Sequence, residues 1–111
     1  MKISHEDLIK GVRHRVGALA EGMLNGSIDY LEGSVELASL RFKVGVSEFD
    51  QDFLSFVGIA SEIDHLPIGA SREHWSPSAL ERLAPEIEST KEWAKEISLC
   101  HLKSLLERFN A

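Results

Sequence analysis

The chain has 111 residues, with 43% apolar and 27% charged side chains and a formal net charge of -6. That length fits one domain with one core, and the composition is that of a globular rather than a disordered chain. A single cysteine, Cys100, excludes an intramolecular disulfide and a cysteine-based zinc site.

The charge is uneven along the chain. Residues 1–26 carry +1, residues 27–75 carry -6 and residues 76–111 carry -1. An acidic middle repels phosphate backbones, so no nucleic-acid partner is expected. The same acidity suits steering toward a basic protein. The start, Met1-Lys2-Ile3-Ser4-His5-Glu6-Asp7, lacks the apolar stretch of a secretory signal, and no run of 18 apolar residues exists. A cytoplasmic protein without a membrane span is therefore expected. Asn25-Gly26-Ser27 matches the glycosylation pattern, but in a cytosolic chain it signals only a turn.

The first helix has a clear start. Ser4 is the N-cap, Asp7 sits three residues on, and Ile3 with Leu8 forms a hydrophobic staple. Leu8, Val12, Val16, Leu19 and Met23 make its apolar stripe, and Asn25-Gly26 ends it. A second helix is predicted over 27–43 with two apolar stripes, one through Ile28, Leu31, Val35, Ala38 and Phe42, the other through Tyr30, Gly33, Leu37, Leu40 and Val44. Such a helix either lies centrally in the bundle or offers one stripe to a second copy, which makes a homodimer through helix two an open reading.

Ser47, with Asp50 three residues later, is the predicted cap of a third helix. Phe49, Phe53, Phe56, Val57, Ile59, Ala60 and Ile63 mark it as the central core helix. Pro67 and Gly69 then stop regular structure and leave residues 65–75 as one long loop. Ser76-Pro77 restarts a helix. Pro85 either kinks it or opens a separate last helix, and the second is expected. No sustained period-two alternation appears, so the predicted fold is all-α, a compact bundle of four to five helices with one long loop before the C-terminal helices. Gly11, Gly22, Gly33 and Gly58 inside the helices are read as points of close helix approach.

Chemistry is sought first in the polar segment 62–75, because loops on a rigid scaffold carry function more often than packed helices do. If the third helix persists to Asp64, that carboxylate leaves a core face and needs a partner. Arg41, projecting between the stripes of helix two, is expected to be partly buried and paired with Asp64, with Arg72 as a second donor. The candidate binding residues are thus Arg41, Glu62, Asp64, His65, Arg72, His74 and Trp75. No histidine pair has the four-residue helical spacing of a zinc site, and no glycine-flanked serine or glycine-rich phosphate loop is present, so no metal, cofactor or catalytic residue is assigned. Cys100, amid Ile97, Leu99 and Leu102, reads as a buried, inert thiol, and Trp75 and Trp93 read as core anchors.

The segment Phe56-Val57-Gly58-Ile59-Ala60-Ser61-Glu62-Ile63-Asp64-His65-Leu66-Pro67-Ile68-Gly69, followed by Arg72, Trp75 and the Cys100 to Arg108-Phe109 ending, resembles a group of small bacterial cytosolic proteins with no assigned function. The resemblance covers the second half of the chain. It implies a bacterial cytosolic origin and no mechanism, and it assigns no functional residue.

The leading expectation is a non-enzymatic protein-interaction module, for example an inhibitor or immunity-type protein for a basic partner. Its contact surface would combine Asp29, Glu32, Glu36, Asp50 and Asp52 with the loop 62–75. The rival is a small-molecule-binding protein or small hydrolase with a polar pocket around that loop. Whether that cluster encloses a cavity separates the two: a closed ion-pair lock favours the interaction module, and a concave site with unpaired groups favours the rival.

Overall fold

A computed structural model of the chain describes residues 4–109. Four α-helices and one 3-10 turn follow in order: α1 His5–Asn25, α2 Tyr30–Leu40, α3 Gln51–Glu62, the 3-10 turn Gly69–His74, and α4 Pro77–Phe109. No strand occurs among the described residues, so the all-α bundle is as expected.

The helices run alternately up and down. In α1 and α2, Gly22 lies against Ile28 at one end, while Arg15 meets Glu36 and Arg13 reaches the Val44 carbonyl at the other. In α3 and α4, Asp52 meets His101 and Ser104, whereas His65, just past α3, meets Glu86. Arg13 near the start of α1 lies 5.7 Å from the ring centre of Phe109 at the end of α4. Each neighbouring pair is therefore antiparallel, and α1–α2–α3–α4 close into a four-helix ring.

The core stripe of each helix follows from its period. Val16, Leu19, Ala20 and Met23 of α1, Tyr30, Leu31 and Leu37 of α2, and Phe53, Phe56 and Ile59 of α3 are buried against Ile87, Ala94, Leu102, Leu105 and Phe109 of α4. Phe53 and Phe109 pack edge to face at 6.0 Å. Two polar side chains, Ser34 and Ser98, are also fully buried. The Ser98 hydroxyl donates to the Ala94 carbonyl (2.5 Å) and lies 2.6 Å from the Tyr30 hydroxyl; Ser34 donates to the Tyr30 carbonyl. Every buried side-chain polar atom among the described residues has a partner.

The caps correct several predicted boundaries. Ser4 does cap α1, accepting from the Asp7 amide at 3.1 Å, while the Ile3–Leu8 staple lies outside the described residues. Helix two begins later than expected, because Asp29 accepts from the Leu31 and Glu32 amides and so fixes the start at Tyr30. It also ends at Leu40, leaving Arg41, Phe42 and Lys43 in a turn. Asp50, not Ser47, caps α3 through the Asp52 and Phe53 amides. Phe49 thereby falls outside the helix and stands 70% exposed instead of joining the core.

The segment 65–75 is not a plain loop. Leu66 and Pro67 are buried and anchor it, and Ser71 locks the 3-10 turn by accepting from the Ile68 amide and donating to the Ile68 carbonyl. Pro85 does not open a new helix. Its missing N–H removes one helical bond, but Pro85 and Glu81 are exposed, on the side where the freed carbonyl is open to solvent, and α4 runs unbroken over its 33 residues. At about 1.5 Å per residue that is about 50 Å, matching the long axis of 47 Å. The first buried residue of α4 is Ile87, and before it only Leu83 packs against the core from the side, so the N-terminal turns sit at the edge of the bundle.

Of the four glycines read from the sequence as points of close approach, Gly22 and Gly33 mark one. A Cβ at Gly22 would strike the Ile28 side chain, and one at Gly33 would strike Met23, whereas Gly11 and Gly58 face open space. Cys100, expected in the core, is exposed, since α4 buries the row through Ala94, Ser98, Leu102 and Leu105 instead.

Candidate functional site

Apart from Glu48 and Glu73, exposed and without a lysine or arginine partner among the described residues, the acidic residues of the middle segment fall, together with Glu86 of α4, into two groups. One group is locked. Arg108 clamps Asp50 (2.7 and 3.0 Å) and Asp52 (2.8 Å), joining the N-terminus of α3 to the end of α4. The paired Arg108 holds the Asp50 carboxyl below its ordinary range. Burial alone would raise Asp52, but hydrogen bonds from Ser104, His101 and Arg108 outweigh it and lower it. Asp29 behaves alike: burial pushes upward, and the Lys91 ammonium at 2.6 Å with the cap amides prevails. Glu36 takes a two-pronged bond from Arg15 at 2.6 and 2.8 Å, which lowers its pKa.

The other group stands free of lysine and arginine. Among the described residues Glu32, Glu62, Asp64 and Glu86 have no such partner within 4.0 Å. All four are exposed, and they gather around the C-terminal end of α3. Two recesses flank that end.

The larger recess, about 560 Å³, runs along the α2–α3 seam and is closed at one side by the 3-10 turn. Val35, Ala60, Ile63, Leu66 and Ile68 line it with apolar surface, while Glu32, Glu36 and Asp64 supply carboxylates. Gly69 helps to shape it. Its φ of +63° is the left-handed region, and a Cβ there would come within 3.0 Å of Glu32 Oε1, so glycine permits both the turn and the approach of that carboxylate. The smaller recess, about 310 Å³, lies between the end of α3 and α4 and is lined by Glu62, His65, Glu86, Ser89, Thr90 and Trp93.

The predicted site residues are thus only partly brought together. Asp64 does not pair with Arg41 as expected. α3 stops at Glu62, so Asp64 sits in the following turn, exposed, on the rim of the larger recess. Arg41 is partly buried, as expected, but it stacks on Phe42, 4.1 Å from the ring centre. Arg72 does not bond Asp64 either; it borders a third, small cleft near Asp29 and Lys91. Glu62 and His65 share the smaller recess with Glu86, His65 Nε2 lying 3.2 Å from Glu86 Oε1. His74 and Trp75 line none of the three recesses.

Sequence reasoning missed Glu86 and Trp93, which α4 brings beside Glu62 from 24 and 31 residues away. Trp93 is 36% exposed as a recess wall, not a core anchor, and Trp75 is exposed as well. Among the described residues no three His, Cys, Asp or Glu side chains are arranged to hold a metal ion. His101 donates from Nδ1 to Asp52, yet Ser104 spends its hydroxyl proton on the same carboxylate, so this cluster is a clamp between helices. No helix among the described residues is long and apolar enough to cross a membrane. Comparison of the chain with protein-family models, curated proteins and solved structures gave no match.

Proposed function

We propose that the protein is a non-enzymatic interaction module that binds a basic segment of another protein in the groove between α2, the end of α3 and the 3-10 turn. A concave recess with unpaired carboxylates is the outcome expected of the rival reading; what favours a protein segment over a small molecule is that the groove is an open seam running along two helices. The groove joins an apolar lining to three carboxylates, of which Glu32 and Asp64 have no internal cation among the described residues. A basic amphipathic segment satisfies both features at once, covering Val35 and Ile68 while its cations reach the rim. Asp50 and Asp52, assigned to the contact surface on sequence grounds, are left out of it, because Arg108, Ser104 and His101 already occupy them.

Fluorescence anisotropy of a labelled amphipathic lysine- and arginine-bearing peptide tests the reading. Binding is expected to weaken steeply as salt rises, since rim charges are screened. Glu32→Gln and Asp64→Asn should each weaken it by about three- to fivefold, the scale of one exposed ion pair. Binding that ignores both salt and these substitutions would refute the assignment.

A further inference from the structure

The smaller recess has a chemistry of its own. Ser89 Oγ and Thr90 Oγ1 both donate to the Glu86 carbonyl, at 3.1 and 2.7 Å, so their protons are spent on the helix. What those hydroxyls still offer is lone pairs. The carboxylates of Glu62 and Glu86 add further acceptors, and the Trp93 indole supplies an aromatic wall. Glu86 is steadied by His65 at 3.2 Å and is otherwise unpaired among the described residues. A recess built this way needs a ligand that donates hydrogen bonds, carries positive charge and presents a flat apolar face.

The guanidinium group has all three properties. It is planar, always charged and weakly hydrated, it bonds carboxylates through a fixed fork, and it stacks on indole. An ammonium is a strongly hydrated point charge and gains less from the indole face. A neutral polyol can stack but gives the two carboxylates no counter-charge. The place of the recess in the fold adds a second argument. Glu62 lines the smaller recess and Asp64 the larger, so one turn of chain divides two acceptor-rich hollows.

We infer that the Glu62–Glu86–Trp93 recess is an arginine pocket, and that it serves as a second anchor for the basic segment that occupies the larger groove. The partner is thereby narrowed to a segment that crosses the end of α3 with cationic side chains on both sides, one of them arginine. The role as second anchor rests on the proposed function; the pocket's preference for guanidinium does not.

The test is a titration followed by the indole N–H resonance of Trp93, distinguished from that of Trp75 by a Trp75→Phe variant. N-acetyl-arginine amide is expected to move the Trp93 signal saturably, in the millimolar range natural to a single side chain (~1 mM corresponds to modest binding energy). The isosteric, uncharged N-acetyl-citrulline amide should leave it nearly still. Glu62→Gln and Glu86→Gln, both on exposed positions, should each weaken the response at least about threefold, with retained spectral dispersion showing that the fold is intact. An equal response to citrulline, a response unaffected by either substitution, or saturation by a neutral hexose instead would overturn the pocket. Saturation by the arginine derivative without any binding of the basic peptide would support the pocket while sinking the groove, so the two failures are separable.

Discussion

The buried contact between Tyr30 and Ser98 ties α2 to α4, and its donor order gives a sharp expectation. Ser98 donates its proton to the Ala94 carbonyl, so across the 2.6 Å contact the Tyr30 hydroxyl must be the donor. Burial disfavours the phenolate and raises the Tyr30 pKa, in keeping with a neutral donor. Tyr30→Phe removes the donor and leaves Ser98 its bond to Ala94, a loss of about 1 kcal/mol. Ser98→Ala instead strands a buried O–H, which costs about 1–3 kcal/mol. Adding Tyr30→Phe to Ser98→Ala removes the stranded group, so the double variant should recover part of that loss and be no less stable than Ser98→Ala alone. In a chain of this length each 1 kcal/mol corresponds to roughly 4 °C in Tm. Urea unfolding followed by circular dichroism gives all four corners of the cycle. Additive losses, or a Tyr30→Phe variant less stable than Ser98→Ala, would refute the donor order.

Three further expectations follow from the same geometry. Asp29, Glu36, Asp50 and Asp52 are all lowered by their partners, so the unfolded chain binds protons first as pH falls; the stability they supply is present above about pH 4 and lost below it, as urea midpoints between about pH 2 and 7 will show, and Arg108→Met should flatten that loss. Gly11→Ala and Gly58→Ala should each stabilise by up to about 1 kcal/mol in thermal unfolding, whereas Gly22→Ala should destabilise by driving a methyl into Ile28. Pro85→Ala restores a helical bond to the Glu81 carbonyl and should raise stability by about 1–3 kcal/mol, with slowed amide exchange in the first turns of α4 as its signature.

The helices were legible because their apolar periods and caps are local signals. Ser4, Val16, Leu19 and Met23 stand where the spacing puts them. The site was less legible because it depends on where α3 stops. A one-turn extension would have turned Asp64 toward the core and made a buried pair with Arg41 reasonable, but the helix ends at Glu62 with Ile63 buried beneath it. Cys100 misled for a related reason. Leu99 and Leu102, one and two residues away, do not share its face of the helix, and Ile97, which does, is itself exposed. The row that α4 does bury contains Ser98, a polar residue with no apolar signal to announce it, whose hydroxyl is satisfied only by a carbonyl one turn back and a tyrosine 68 residues away.

The end of α3 is also where charge and backbone work against each other. A helix C-terminus carries partial negative charge, and a cation in the last turn relieves it by about 0.3–1 kcal/mol. α3 has no basic residue in its last turn; it ends on Glu62, with Asp64 two residues beyond. Both carboxylates are exposed and neither pairs with a lysine or arginine among the described residues, so the strain has no internal relief. An external cation would supply what the fold withholds, which is how a binding surface differs from a structural lock such as Arg108 with Asp50. Glu62→Lys makes the distinction measurable. It should stabilise the fold by about 0.5–1 kcal/mol in urea unfolding, because the new cation complements the helix end, and at the same time abolish the arginine response at Trp93. A variant that gains stability and keeps its guanidinium binding would show that the acidic end of α3 serves no ligand.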